Sequence, residues 1–123
     1  MSVRRRADPG MVTAELAVAI PVLVVVLALA LSAVRLGLDR VRVVDAAHVG
    51  ARLAARGEGP LAVRAAALRA APRGAQVHTA LWAGSVRVTV RAPAPPMLAG
   101  LGLDTVVSGS AVARLESPQG GSG

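Results

Sequence analysis

The stretch Pro9–Val34, PGMVTAELAVAIPVLVVVLALALSAV, decides how this chain folds. From Leu16 to Val34 it runs 19 residues without a charge, interrupted only by Pro21 and Ser32. As a helix the run covers about 28 Å at ~1.5 Å per residue, close to the roughly 30 Å hydrocarbon core of a bilayer. It is apolar on every side, whereas a helix on the surface of a soluble domain keeps one polar face. The rest of the chain is too poor in bulky side chains to wrap a helix of this length. The sequence therefore predicts a transmembrane helix over 11–34. Pro21 falls within the first two turns of the run, where a kink is tolerated in lipid. Glu15 is the odd residue, because an unpaired acid deep in a bilayer costs on the order of 2.5–3.5 kcal/mol.

A secretory signal peptide is the alternative reading of the same segment. Arg4–Arg6 would be its basic region, and ALALSA (Ala28–Ala33) offers small residues for cleavage. Against it, the uncharged run is longer than a usual signal core and Glu15 is foreign to one.

Composition narrows the remaining choices. The 123 residues suffice for one small domain plus a membrane element. Hydrophobic residues make up 54%, yet Trp82 is the only aromatic, so the apolar weight is Ala, Val and Leu. All 14 basic residues are Arg, against 7 acids, for a net charge of +7. They are scattered and have no aromatic stacking partners, which argues against nucleic-acid binding. The absence of Cys excludes disulfides and thiolate metal sites. The only histidines, His48 and His78, lack further ligands and are expected on solvated faces. Neither HExxH nor GxSxG occurs, and AGLGLDT does not sit in a strand-to-helix setting suited to phosphate. No enzyme, cofactor or metal site is read here.

Beyond Val34 nothing stops the helix until Gly57-Glu58-Gly59-Pro60, so an extension over 35–57 is expected. Arg35 and Asp39 are spaced as an i,i+4 pair along it. Within it Ala46, Gly50 and Ala54 form a small-residue stripe, flanked by Ala47, Ala51 and Ala55, that lets another backbone approach closely. Asp45, Arg52 and Arg56 are expected to face water. LAVRAAALRAA (Leu61–Ala71) reads as a short amphipathic helix, with Leu61, Ala65 and Leu68 inward and Arg64 and Arg69 outward. The period then changes to two. Val77, Thr79 and Leu81 share a strand face. After an Ala83-Gly84 turn, Val86, Val88 and Val90 alternate with Arg87, Thr89 and Arg91, which makes a hairpin.

APAPPMLAGLGL (Ala92–Leu103) is a Pro/Gly-rich loop, Asp104 a cap or turn residue, and Thr105–Leu115 a third strand. The tail over 117–123 is disordered by composition. The expected fold class is α+β, with a long N-terminal transmembrane helix continuing into an extracytoplasmic helix. A short helix and a small antiparallel sheet of about three strands follow. A domain of about 60 residues (58–116) is marginal on its own. Its sheet should lean on the helix around residues 40–56, with Trp82 filling the junction.

A basic leader (1–10) ending in Gly10, then Met11, then Glu15 at the fifth position after that glycine, then the apolar run, resembles the class III signal of type IV pilins. More narrowly, TAELAVAIPVLVVVLALAL, with Pro21 six residues past Glu15, resembles the TadE-like minor pilins of tight-adherence (Flp) pilus systems. VVDAAHVGARLAARGEG (Val43–Gly59) is similar to the segment after the membrane helix in actinobacterial members. The likeness is good from Gly10 to about Gly59 and weak beyond it.

The resemblance implies that a prepilin peptidase cuts between Gly10 and Met11 on the cytoplasmic side. It also implies partners: the major Flp-type pilin, other minor pilins, and an assembly platform with its ATPase. Cleavage would place an ammonium on Met11, about 6 Å of helix rise from Glu15. In pilins the corresponding pair matches subunit to filament. The rule that basic residues stay inside does not orient this helix, because Arg35, Arg40, Arg42 and Arg52 follow its other end. The processing motif places the leader in the cytoplasm. The alternatives are a single-pass envelope binding module that never polymerises, and a secreted domain released after Ala33.

Overall fold

The computed structural model describes residues 9–103 and 105–115. Arg4–Arg6, Asp8, Asp104 and the tail lie outside the described residues. The chain is α+β: helix α1 (Pro9–Ala55), helix α2 (Pro60–Ala70), strands β1 (Gln76–Trp82) and β2 (Ser85–Pro93), a one-turn helix α3 (Pro96–Ala99), and strand β3 (Val106–Arg114). The predicted membrane run and its extension are thus one helix of 47 residues. Pro21 sits inside it; lacking an N–H, it leaves the carbonyl of Ala17 without its usual donor.

Glycine chemistry ends α1. Gly57 has φ +80°, its N–H donates to the Ala54 carbonyl, and the N–H of Glu58 reaches back to Leu53. This paired closure satisfies two terminal carbonyls and depends on the left-handed conformation that glycine tolerates. Pro60 then opens α2, where its fixed φ suits the first helical position and its missing N–H costs nothing.

The three strands form one antiparallel sheet in the order β1-β2-β3. Val88 is paired with Thr79 on one side and Ala111 on the other, and Val90 with Val77 and Gly109. Alternation in β2 buries Val86, Val88, Val90 and Ala92 and exposes Arg87 and Arg91. The distal half of α1 lies across this inner face, with Val43, Ala46, Ala47, Ala51 and Ala54 buried in the core. α2 packs beside α1 and against β1. The largest fully buried side chains are Val43, Val88 and Val90, so the interior is thin and the two layers approach closely.

Three local expectations are corrected, and the shared face of Val77, Thr79 and Leu81 is found as expected. Trp82 does not fill the junction; it is 79% exposed at the hairpin end of β1, on the outer face of the sheet. Alternation through Val77, Thr79 and Leu81 turns even-numbered positions of β1 outward. The inward face of α2 is Val63, Ala66 and Ala67, while Leu61, Ala65 and Leu68 are exposed. Small side chains face in because α2 lies against an already close-packed seam. Thr79 and Leu81 share the inner face with Val77 but stay exposed along an open groove beside Val63 and Leu115. Finally, Ala92–Leu103 contains the turn of helix α3, started by Pro95 and Pro96.

Candidate functional site

The residues singled out for processing and assembly stand on the first turns of α1. Pro9 begins the helix, and Gly10, Met11 and Glu15 follow on its exposed surface. Met11 and Glu15 are four residues apart and so share a helix face, with about 6 Å of rise between them. The hydroxyl of Thr13 donates to the Pro9 carbonyl at 2.9 Å, tying the first turn together. Gly10 and Met11 are helical. Proline at the first helical position supplies the reason, since its φ is pre-set for the helix. A Cβ on Gly10 would meet nothing within 4 Å, so no other described part of the chain packs on Gly10.

Next along α1 comes the apolar run. From Leu16 to Leu31 every side chain is exposed except the half-buried Ala28. Leu16, Val18, Ile20, Leu23 and Leu27 are all more than half accessible. This one helix is long and apolar enough to cross a membrane. A core helix of a soluble domain would have these side chains covered.

The small-residue stripe occupies the other end. Ala46, Gly50 and Ala54 are buried against the chain's own domain. A Cβ on Gly50 would come 2.9 Å from Cγ1 of Val88 and 3.4 Å from Cβ of Ala67. Glycine is needed here so that α1 can touch β2 and α2 at once. That surface is therefore filled by β2 and α2 of the same chain.

One contact had only a faint sequence signal. Ser32, the lone hydroxyl of the apolar run, is 8% exposed because α3 covers it. Its Oγ donates to the Ala28 carbonyl at 2.8 Å and lies 3.7 Å from the Met97 sulfur. His48 and His78 are both exposed, one on α1 and one on β1. Among the described residues no three His, Asp or Glu side chains gather as metal ligands. No family model, curated protein or solved structure matches the chain.

Proposed function

We propose that this chain is a TadE-like minor pilin or pseudopilin of a Flp/Tad-type type IV pilus. One observation carries the reading. A single unbroken helix bears Gly10, Met11 and Glu15 at one end, an uncovered apolar run in its middle and a packed head at the other. A pilus subunit needs those three parts in that order: a trimmed tip, a rod that lives first in lipid and then among neighbouring rods, and a head outside the bilayer. The leader lies in the cytoplasm and the head is extracytoplasmic.

The chemistry required of the chain is modest, and no catalytic step is assigned to it. A prepilin peptidase hydrolyses the Gly10–Met11 bond, and the new amine on Met11 takes up a proton. The cut also removes the Pro9 carbonyl and with it the acceptor of the Thr13 hydroxyl. The positive end of the helix and the new ammonium then both favour the carboxylate of Glu15. Pairing lowers the cost of a charge beside hydrocarbon, within one subunit or between neighbours. The major pilin, other minor pilins and the assembly platform with its ATPase are the partners in this scheme.

The mature N-terminus, determined by mass spectrometry of the native protein, tests the proposal. A chain starting at Met11 supports it. An intact leader would make the protein a membrane-anchored envelope module, and a start just beyond Ala33 a secreted domain.

A further inference from the structure

We infer that the loop from Pro95 to Leu103 is a second membrane contact, seated in the outer leaflet beside α1. The inference rests on the membrane-spanning reading of α1.

Three observations lead there. The first is position. α3 covers α1 at Ser32, two residues before the uncharged run ends at Val34, or about 3 Å of rise inside it. The cleft between them, about 560 Å³, straddles the end of the run: it is lined by Ala28, Leu31, Arg35 and Leu38 on one side and Pro95, Pro96 and Met97 on the other. Ala28 lies roughly 9 Å inside the same boundary. A head held wholly above the bilayer would not reach this level.

The second is chemistry. The segment from Ala92 to Leu103 carries no charge. Met97, Leu101 and Leu103 are 50%, 61% and 54% exposed; Leu61, Leu81, Trp82 and Val112 are exposed elsewhere on the head, but among the described residues only the loop combines such side chains with an uncharged stretch beside the apolar run of α1. Backbone polar groups are the usual obstacle to placing a loop in lipid. Here the N–H groups of Leu98, Ala99, Gly100, Leu101, Gly102 and Leu103 all donate to carbonyls within the loop. Pro95 and Pro96 have no N–H to satisfy. The loop therefore presents apolar side chains on a backbone whose donors are largely paired.

The third is charge. On the headward side of α3 lies a cleft of about 580 Å³ that brings together Arg35, Arg42 and Arg73, with Asp39 the one acid among its described lining residues. A loop sunk to the level of Ser32 sets these guanidinium groups where lipid phosphates lie. Arginine suits phosphate through its forked donors. The occupant is thus a lipid surface with anionic headgroups.

The chain contains no cysteine, so a single introduced thiol carries a unique label. Full-length protein would be reconstituted into phosphatidylcholine vesicles with or without phosphatidylglycerol. An environment-sensitive fluorophore would be placed by Leu101→Cys, by Val24→Cys in the rod, or by Val112→Cys on the outer face of the sheet. The label at 101 should emit to the blue of that at 112 and resist iodide. It should be quenched by spin labels high on the acyl chain, and phosphatidylglycerol should enlarge the shift. The label at 24 should respond only to deep spin labels. Iodide access at 101 equal to that at 112, with 24 still protected, overturns the loop contact and leaves the membrane helix standing. A blue shift at 101 that vanishes as protein is diluted into lipid also overturns it, in favour of a second copy covering the loop. Iodide access at 24 would remove the membrane helix and this inference together.

Discussion

Gly109 of β3 lies directly on the backbone of α1: a Cβ there would stand 2.9 Å from the nitrogen of Val44 and 3.0 Å from its Cα. At Gly50 the nearest atom is Cγ1 of Val88, part of a side chain; at Gly109 it is main chain, which has no rotamer to change. Overpacking of this kind costs roughly 1–3 kcal/mol. Gly109→Ala should fall at or above the top of that range and Gly50→Ala in its lower half. Hydrogen exchange of the β2 amides, measured in detergent, reads both. Equal protection in Gly109→Ala and the parent chain would show that the helix–sheet seam is looser than described.

The β1–β2 hairpin turns on Ala83 and Gly84, both with positive φ, at 47° and 74°. This two-residue turn favours Asn-Gly, and an alanine in the left-handed region carries about 1–2 kcal/mol of strain. Ala83→Asn or Ala83→Gly should therefore stabilise the head by around 0.5–1 kcal/mol. A denaturant midpoint that moves down instead would mean that the turn is not the one described.

Trp82 is the largest side chain in the molecule and carries little of its stability. Because it is 79% exposed, Trp82→Ser should change the unfolding free energy by no more than about 0.5 kcal/mol. A loss of several times that amount would restore it to the core.

Gly10 is helical while the peptidase of the proposed scheme requires the bond beside it. The first turn must then open before cleavage. Gly10→Ala favours the helix by about 1 kcal/mol, so processing should slow several-fold from this cause alone. Pulse–chase separation of precursor from mature chain gives the rate. Unchanged kinetics would indicate that the turn is already open when the enzyme binds.

Under the same scheme Glu15→Ala should leave membrane insertion intact while reducing incorporation into sheared pili. Two charges ~4 Å apart attract by about 1 kcal/mol in water and about 4 kcal/mol at an effective dielectric of 20. Incorporation should thus drop by roughly tenfold or more. Full incorporation would discard the pairing of Met11 with Glu15 and leave the processing step untouched.

How legible these features were depended on whether the signal was local. The run from Leu16 to Val34 declares itself because every position in it is apolar, and the hairpin because Ala83-Gly84 separates two segments of period two. In α2 leucine does not mark the inward face. In a seam this thin, Val63 and Ala67 fit beside Gly50 and Leu61 does not. Trp82 misled through its size, although the alternation that points Val77 inward already pointed position 82 outward. The covering of Ser32 by α3 joins residues 65 apart, and periodicity carries no information at that separation. The helical state of Gly10 was readable in part from Pro9, whose ring favours the first position of a helix.

One helix passes from Pro9 through the apolar run into the heart of the head, so there is no swivel where that run ends. Ala55 stands roughly 30 Å beyond Val34, and a tilt of about 20°, ordinary for a single helix in lipid, swings that end sideways by roughly 10 Å. With the apolar run in a bilayer, bearing and height of the sheet would be dictated from within it, as a mast obeys its keel. Tension applied to the head would run down one helix, whose backbone ladder lacks a rung only at the Ala17 carbonyl beneath Pro21, instead of being absorbed in a flexible neck.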